Sequence, residues 1–366
     1  MGFELPPYPY DLLDPYRALA NQHSGGVVDL SVGTPCDPPP EEAVRALVES
    51  DSERGYPSSI GSEEFRKSCQ EWVKRVFRVG LDAEKNIAAC IGTKEFVVST
   101  PNYLHLRNPE KDTVLYPEIS YPSYAMGAHL AGCRAVPVKV DVGGKLLLED
   151  LDPDDINRSL MLWVNYPSNP TGAVADLAPI ADWGRSHNVP IFSDECYSQF
   201  VWGRKPSTVL SSGLPGVVAV HSLSKRSNLA GIRAGFYAGD EDLVFWLKEV
   251  RKHSGKMIPG PVQAAASLAY SDDQHVEKQK LRYRERLEFL QSCLKSLGVE
   301  SELPQGSFYL WVWSGQDGSW DLVERLASEV GILAAPGSFF GSSNHVRIAA
   351  VQTLEKLELI QNRLDS

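Results

Sequence analysis

The chain has 366 residues, 43% of them apolar and 23% charged, with 36 basic against 47 acidic residues and a formal charge of −11. That length suits one large core and a smaller one, and a uniformly acidic chain repels nucleic-acid backbones and anionic lipid, although a few arginines can still dominate a local pocket. The six cysteines, Cys36, Cys69, Cys90, Cys133, Cys196 and Cys293, form no C-x-x-C pair, which argues against disulfides and bound metal and for a reducing cytoplasm.

The opening segment, MGFELPPYPYDLLDPY, lacks the basic and apolar regions of a signal peptide. Pro6, Pro7 and Pro9 break any helix there, so it reads as an extended arm. Phe3, Tyr8, Tyr10 and Tyr16 suit an arm that lies on a partner subunit. From residue 41 onward, apolar runs bounded by Gly or Pro alternate with helical patterns. The predicted strands are 87–92, 113–117, 135–140, 160–167, 189–195, 217–224 and 234–239, with amphipathic helices at 63–77 and 177–188. Such alternation predicts an α/β fold with a mainly parallel sheet between helices. Residues 274–297 read as one long charged helix ended by Gly298. Strand-like 308–313 and 345–351 flank a helical 320–331. The expected domains are 41–262, and a smaller α+β unit made of 1–40 and 263–366. No run of about 18 apolar residues is present to cross a membrane.

Several motifs carry chemistry at predicted strand ends. G-T-K-E (92–95) opens a helix, so Thr93 and Lys94 are candidate anion contacts or a simple helix cap. In YPEISYPSY (116–124), Tyr121 is placed to stack on a ring or to pack in the core. NYPSNPTG (165–172) puts Asn169 at a carboxyl end, as a donor or as part of an Asn-Pro turn. In FSDECYSQF (192–200), Asp194 is a carboxylate at the end of a buried run, costly unless paired with a cation such as a protonated ring nitrogen. A helix cap and a metal pair with Glu195 are its other readings. Tyr197 lies three residues on and reaches toward the same place as Asn169. In SLSKRSNLAGIRAG (222–235), Ser222, Ser224 and Arg233 surround Lys225, which makes a phosphate site beside an amine, unless the stretch is a basic loop. Arg347, inside the apolar run HVRIAA, demands an anion: a substrate carboxylate or an internal salt bridge.

These motifs follow the order S-V-G-T-P (31–35), G-Y-P-x3-G (55–61), G-T-K-E, Y-P-S-Y (121–124), N-P-T-G, D-E-C-Y, S-L-S-K with Arg233 eight residues on, A-P-G-S-F-F-G (335–341) and V-R-I-A (346–349). Together they resemble the class I/II aminotransferases of pyridoxal 5′-phosphate fold type I, across nearly the whole chain. The resemblance implies that Lys225 is the Schiff-base lysine and that Asp194 pairs the pyridine nitrogen. It implies that Asn169 and Tyr197 bond the phenolic oxygen and that Tyr121 stacks on the ring. Thr93, Lys94, Ser222, Ser224 and Arg233 then hold the phosphate. Tyr56 reaches the neighbouring subunit's phosphate, which implies a homodimer. Arg347 takes the substrate α-carboxylate, beside Gly33 in the N-terminal loop.

HSLSKRSNLAGIRAGF, RKHSGKMIPGPVQAA and VDLSVGTPCDPPP sharpen the likeness to the actinobacterial succinyldiaminopimelate transaminases of lysine and peptidoglycan precursor synthesis. That implies N-succinyl-L,L-diaminopimelate as amino donor and 2-oxoglutarate as the 2-oxo-acid acceptor, with Arg17, Lys252 or His253 as candidates for the distal carboxylates. The rivals are an aminotransferase for aspartate, alanine or aromatic amino acids, and a C–S lyase of the same fold. A regulatory module that binds the cofactor is a further rival. It would carry a DNA-binding domain ahead of the motifs, which here start by residue 31 in an acidic chain.

Overall fold

Runs of branched and aromatic residues form strands because their side chains fill a pleated, covered surface. In the computed structural model, which describes residues 8–316 and 318–366, they give β1 (Val28–Asp29), β2 (Ile87–Cys90), β3 (Thr113–Pro117), β4 (Arg134–Val138), β5 (Ser159–Val164), β6 (Ile191–Asp194), β7 (Val217–Ser222), β8 (Gly235–Gly239), β9 (Tyr309–Trp313), β10 (Ile332–Leu333), β11 (Ala335–Pro336) and β12 (His345–Ala349). The main sheet has the order β2-β8-β7-β6-β5-β3-β4. Every neighbouring pair is parallel except where β8 runs antiparallel to β2 and β7. The predicted α/β fold with a mainly parallel sheet is therefore the observed one.

β5, β6 and β7 are buried at every position, so both faces of the sheet are covered. Alternation along β5 sends Leu162 and Val164 into one layer, and Met161 and Trp163 into the other. The first layer receives Phe65 and Trp72 from helix Glu63–Phe77, and Ala266 and Tyr270 from helix Gly260–Ser271. The second receives Phe96 from helix Gly92–Arg107 and Val244 and Leu247 from helix Glu241–His253. The boundary expected at 262 falls inside helix Gly260–Ser271, whose apolar face belongs to the first layer.

A third core lies around a three-stranded antiparallel sheet, β11-β12-β9, and the parallel pair β1–β10. Helix Gln274–Ser296 contributes Tyr283, Leu287 and Leu290 to it. The opening segment joins this core too. Phe3, Pro6 and Pro7 lie outside the described residues. Pro9 begins a 3₁₀ turn, Pro9–Leu13, that runs into helix Asp14–Ala20. From residue 9 onward the expected extended arm is thus helical, because a proline at the first helical position needs no N–H and already has the right φ. Leu13 is buried in this core, and Tyr16 stacks on Trp320 of the same chain at 5.4 Å. No helix among the described residues is long and apolar enough to cross a membrane.

Helix Gly92–Arg107 starts where β2 ends, and an ion pair fixes that start. Arg251 of helix Glu241–His253 donates through both terminal nitrogens to Glu95, at 2.9 and 2.7 Å. Arg251 is 2% exposed. Burial alone would raise the Glu95 pKa, but the guanidinium overrides it and holds the carboxyl below its usual range. Glu95→Gln leaves the Arg251 charge buried without its partner. The variant is expected to lose about 3 kcal/mol of stability, read as a lower urea midpoint with an unchanged slope.

Candidate active site

The parallel strands of the main sheet direct their carboxyl ends to one edge, where side chains of different strands converge. Thr93 follows β2, Tyr121 follows β3, Asn165 and Asn169 follow β5, and Asp194 ends β6. Ser222 ends β7, and Ser224 and Lys225 occupy the single turn Leu223–Arg226 after it. Tyr309 of β9 and Arg347 of β12 approach from the second sheet, and Tyr10 and Gly33 from the N-terminal segment. All of these but Ser222 line a cavity of about 400 Å³. A larger hollow of about 710 Å³, lined by Leu146, Ile156 and Trp183 among others, includes none of these residues. The chemistry is concentrated in the smaller cavity.

One end of the cavity is built for an anion. Ile91 supplies no side-chain cap to helix Gly92–Arg107, which leaves the first N–H groups of that helix available. Thr93 contributes a hydroxyl, with the Cys196 thiol 3.1 Å from its oxygen. The Ser222 hydroxyl donates to the Ser224 hydroxyl at 2.9 Å. Ser222 therefore stands behind Ser224 and is not itself on the cavity wall. The Arg233 guanidinium lies against Gly92, where a Cβ would come 2.4 Å from an Arg233 nitrogen. Gly92 also has φ +70°, so glycine opens this motif for two steric reasons. Lys94 lines the cavity, and its ammonium lies 5.8 Å from the Tyr8 ring centre and 6.0 Å from that of Tyr121. Its side chain is thus at the aromatic mouth. Tyr56, expected at the phosphate of a neighbouring subunit, is fully exposed and does not line this cavity.

The other charged groups have few partners of opposite sign. The Lys225 ammonium donates to the Gly33 carbonyl, and burial pulls its pKa down to about 8. Asp194 is 7% exposed, accepts from the Tyr124 hydroxyl at 3.1 Å and the Cys196 N–H at 3.2 Å, and has its pKa raised by burial. No side-chain cation forms an ion pair with it among the described residues. Asn165 donates to the Asp194 carbonyl at 2.7 Å and accepts from the Asn169 N–H at 2.8 Å. It ties the ends of β5 and β6 together. Arg347, 2% exposed, donates to the Asn169 side-chain oxygen at 2.7 Å, the Ser31 carbonyl at 2.6 Å and the Tyr10 hydroxyl at 3.2 Å. The rings of Tyr309 and Phe340 flank it at 4.5 and 4.4 Å, and its Nε has no partner among the described residues. Among the described residues no carboxylate forms the internal salt bridge weighed from the sequence, and none compensates the charge. In total four cations and one carboxylate line the cavity of a chain with formal charge −11.

No group of three or more His, Cys, Asp or Glu side chains that could hold a metal ion occurs among the described residues. Glu195 turns away from Asp194 and accepts from the Val209 N–H at 2.8 Å. Sequence reasoning missed Tyr10, Tyr124, Asn165 and Tyr309. Asn165 and Tyr124 stand inside motifs already singled out, at the ends of N-Y-P-S-N and Y-P-S-Y. Tyr309 sits in a run that reads as core.

A sequence model described as aminotransferase class I and II matches residues 25–364. The chain belongs to this family. Among the aminotransferases similar to it, 4-dedimethylamino-4-oxo-anhydrotetracycline transaminase OxyQ of Streptomyces rimosus is 38% identical over 371 residues, covering 99% of each chain. The LL-diaminopimelate aminotransferase of Aquifex aeolicus is 35% identical, over 96% of this chain and 94% of the relative. A solved structure of a probable N-succinyldiaminopimelate aminotransferase from Thermus thermophilus superposes with a TM-score of 0.87 at 28% identity, over 98% of this chain and 100% of that one. The enzyme is an aminotransferase, and its cofactor is pyridoxal 5′-phosphate. The cavity suits that molecule in kind: an anion cradle for a phosphate, an amine for an aldehyde, and a buried carboxylate without a cation for a basic ring nitrogen.

Burial disfavours the ammonium form of Lys225, so its amine becomes free at a lower pH than an ordinary lysine of about 10.4. In the cofactor-free enzyme, labelling of Lys225 by an amine-reactive probe is expected to rise through a midpoint near pH 8. Peptide mapping across a pH series measures it. A midpoint at the ordinary lysine value contradicts the assigned environment.

Proposed function

We propose that the enzyme takes the amino group of N-succinyl-L,L-diaminopimelate and passes it to 2-oxoglutarate. The observation that carries this reading is Lys94. Three of the four cavity cations have tasks that any substrate of this family would set: an amine, a phosphate and an α-carboxylate. Lys94 is the fourth. It is exposed at the mouth beside Tyr8 and Tyr121. A second carboxylate, far from the reacting carbon, gives it a partner, and both proposed substrates carry one. Arg17, Lys252 and His253 do not line the cavity. Arg17 bonds Asp29 at 2.7 Å, and Lys252 pairs with Glu249 at 3.1 Å. Unsuccinylated L,L-diaminopimelate is the second reading, favoured by the Aquifex relative.

In this reading Lys225 binds the cofactor and Asp194 pairs with its ring nitrogen. Asn169 and Tyr197 donate to the phenolic oxygen, and Tyr121 stacks on the ring. Thr93, Ser224, Arg233 and the backbone N–H of Lys94 hold the phosphate, with Ser222 fixing Ser224. Bound pyridoxal phosphate supplies an electron sink and carries the amino group from donor to acceptor. Arg347 holds the α-carboxylate beside Gly33 and so fixes the donor's Cα. Lys225 Nζ takes the proton from that Cα and later returns one to the acceptor's Cα, acting as base and then as acid. The division into two domains falls near residue 272, between helices Gly260–Ser271 and Gln274–Ser296. The active unit is a homodimer in which Tyr56, an aromatic side chain fully exposed in the single chain, reaches the partner's phosphate. Six free thiols fit a cytoplasmic setting.

For N-succinyl-L,L-diaminopimelate, kcat/KM is expected to exceed that for aspartate, alanine and phenylalanine by about a hundredfold or more, because a site built for a carboxylate far from the reacting carbon penalises substrates that carry none at that distance: alanine and phenylalanine have no second carboxylate, and that of aspartate is too close to the Cα. Lys94→Met is expected to raise KM for 2-oxoglutarate by about tenfold and to leave KM for pyruvate nearly unchanged. Equal use of phenylalanine sinks the reading, and a higher rate with the unsuccinylated donor selects the second one. The dimer has its own test. Inactive Tyr56→Ala and Lys225→Ala enzymes, mixed and allowed to exchange subunits, are expected to regain about a quarter of wild-type activity, since hybrids carry one intact site. A fully active monomer in sedimentation refutes it.

A further inference from the structure

Tyr309 opens β9 and is 1% exposed. Its hydroxyl lies 2.8 Å from that of Tyr197, although the two residues belong to different parts of the chain. The approach is protected by the absence of a side chain at Gly33, where a Cβ would come 2.1 Å from the Tyr309 oxygen. The ring of Tyr309 is held by the Arg347 guanidinium across its face at 4.5 Å. Burial keeps both phenols protonated at neutral pH, with the Tyr309 pKa pushed up to about 12 and that of Tyr197 raised well above its usual value.

Two phenols this close share one hydrogen bond, and only one of them donates. Tyr197 has a single proton. If it donated to Tyr309, it would have none for the cofactor. Tyr309 has no hydrogen-bond partner other than Tyr197 among the described residues, so its proton is available to Tyr197. A hydroxyl that accepts a hydrogen bond becomes a better donor itself, because each bond polarises the next.

We propose that Tyr309 is a positioning residue whose hydroxyl donates to Tyr197 and so turns the Tyr197 proton toward the cofactor's phenolic oxygen. The inference rests on the role proposed above for Tyr197. Its consequence is electrostatic. A donor to the phenolic oxygen favours the deprotonated form and lowers the pH at which the cofactor's visible band titrates. Tyr309 strengthens that donor from behind. It leaves the cofactor untouched by its own hydroxyl.

The test is a spectrophotometric pH titration of the loaded enzyme in three variants. Tyr197→Phe is expected to raise the midpoint by about one pH unit, the loss of one hydrogen bond to a charged group. Tyr309→Phe keeps the ring and its contact with Arg347 and is expected to raise the midpoint by about 0.3 unit. In the double variant the midpoint is expected to equal that of Tyr197→Phe, because Tyr309 acts only through Tyr197. Gly33→Ala, which pushes the Tyr309 hydroxyl aside, is expected to shift the midpoint in the same direction. An unchanged midpoint in Tyr309→Phe, beside a shifted one in Tyr197→Phe, overturns the inference and leaves the role of Tyr197 standing. Additive shifts in the double variant overturn it as well. An unchanged midpoint in Tyr197→Phe overturns the role of Tyr197 and this inference with it.

Discussion

The cavity gathers ions for which the described residues supply no partner of opposite charge. Arg347 is buried against two rings and three neutral oxygens, and Asp194 against a phenol and a backbone N–H. Isolated charges in a low-dielectric interior are expensive. The surrounding fold offsets that cost without neutralising the charges, by aiming neutral dipoles at them. Asn169, Ser31 and Tyr10 spread the Arg347 charge over three acceptors, and Tyr124 and Cys196 do the same for Asp194 in the opposite sense. What remains is a site with a net attraction for anions inside an acidic molecule. That is a physical reason for a small acid, once bound, to complete the structure as much as to react in it.

The two sheets meet at this cavity, and the join is polar. Arg347 belongs to the antiparallel sheet and Asn169 to the end of a parallel strand, and they share a hydrogen bond of 2.7 Å. Tyr309 and Tyr197 repeat the arrangement at 2.8 Å. A change in charge beside Arg347 is therefore felt on both sides of the join. The Glu95–Arg251 pair ties the first turn of helix Gly92–Arg107, which carries Thr93 and Lys94, to helix Glu241–His253. The anion cradle is thus built on an element that is itself anchored by an ion pair.

Much of the fold was legible because its signals are local. The run 113–117 is β3 residue for residue, and 63–77 is a helix with its cap at Ser62, since periodicity and turn residues are written within a few positions. The chemistry was legible where a polar group stands at the end of an apolar run, as at Lys225, Asp194 and Asn169, or inside one, as at Arg347. Tyr309 was not. Its meaning comes from Tyr197, 112 residues away, and in its own neighbourhood it looks like any core aromatic. Pro9 misled because a helix breaker is also a helix starter, and only the tertiary contact of Leu13 and Tyr16 decides which. The direction of the Lys94 side chain was equally hidden, because a motif fixes a backbone position and not a rotamer.

The two ends of the cavity differ in how deeply they are rooted. Asp194 and Arg347 are 7% and 2% exposed and belong to strands β6 and β12, whereas Tyr8 and Val32 at the mouth are 56% and 43% exposed and sit on the N-terminal segment. Substitutions at the mouth disturb little packing, and substitutions at the floor disturb the sheet. Changes at the mouth can therefore alter what a bound molecule meets there while the floor stays as it is. The cavity is divided without a boundary: within one continuous wall, a floor tied into the sheets gives way to a rim carried by one segment.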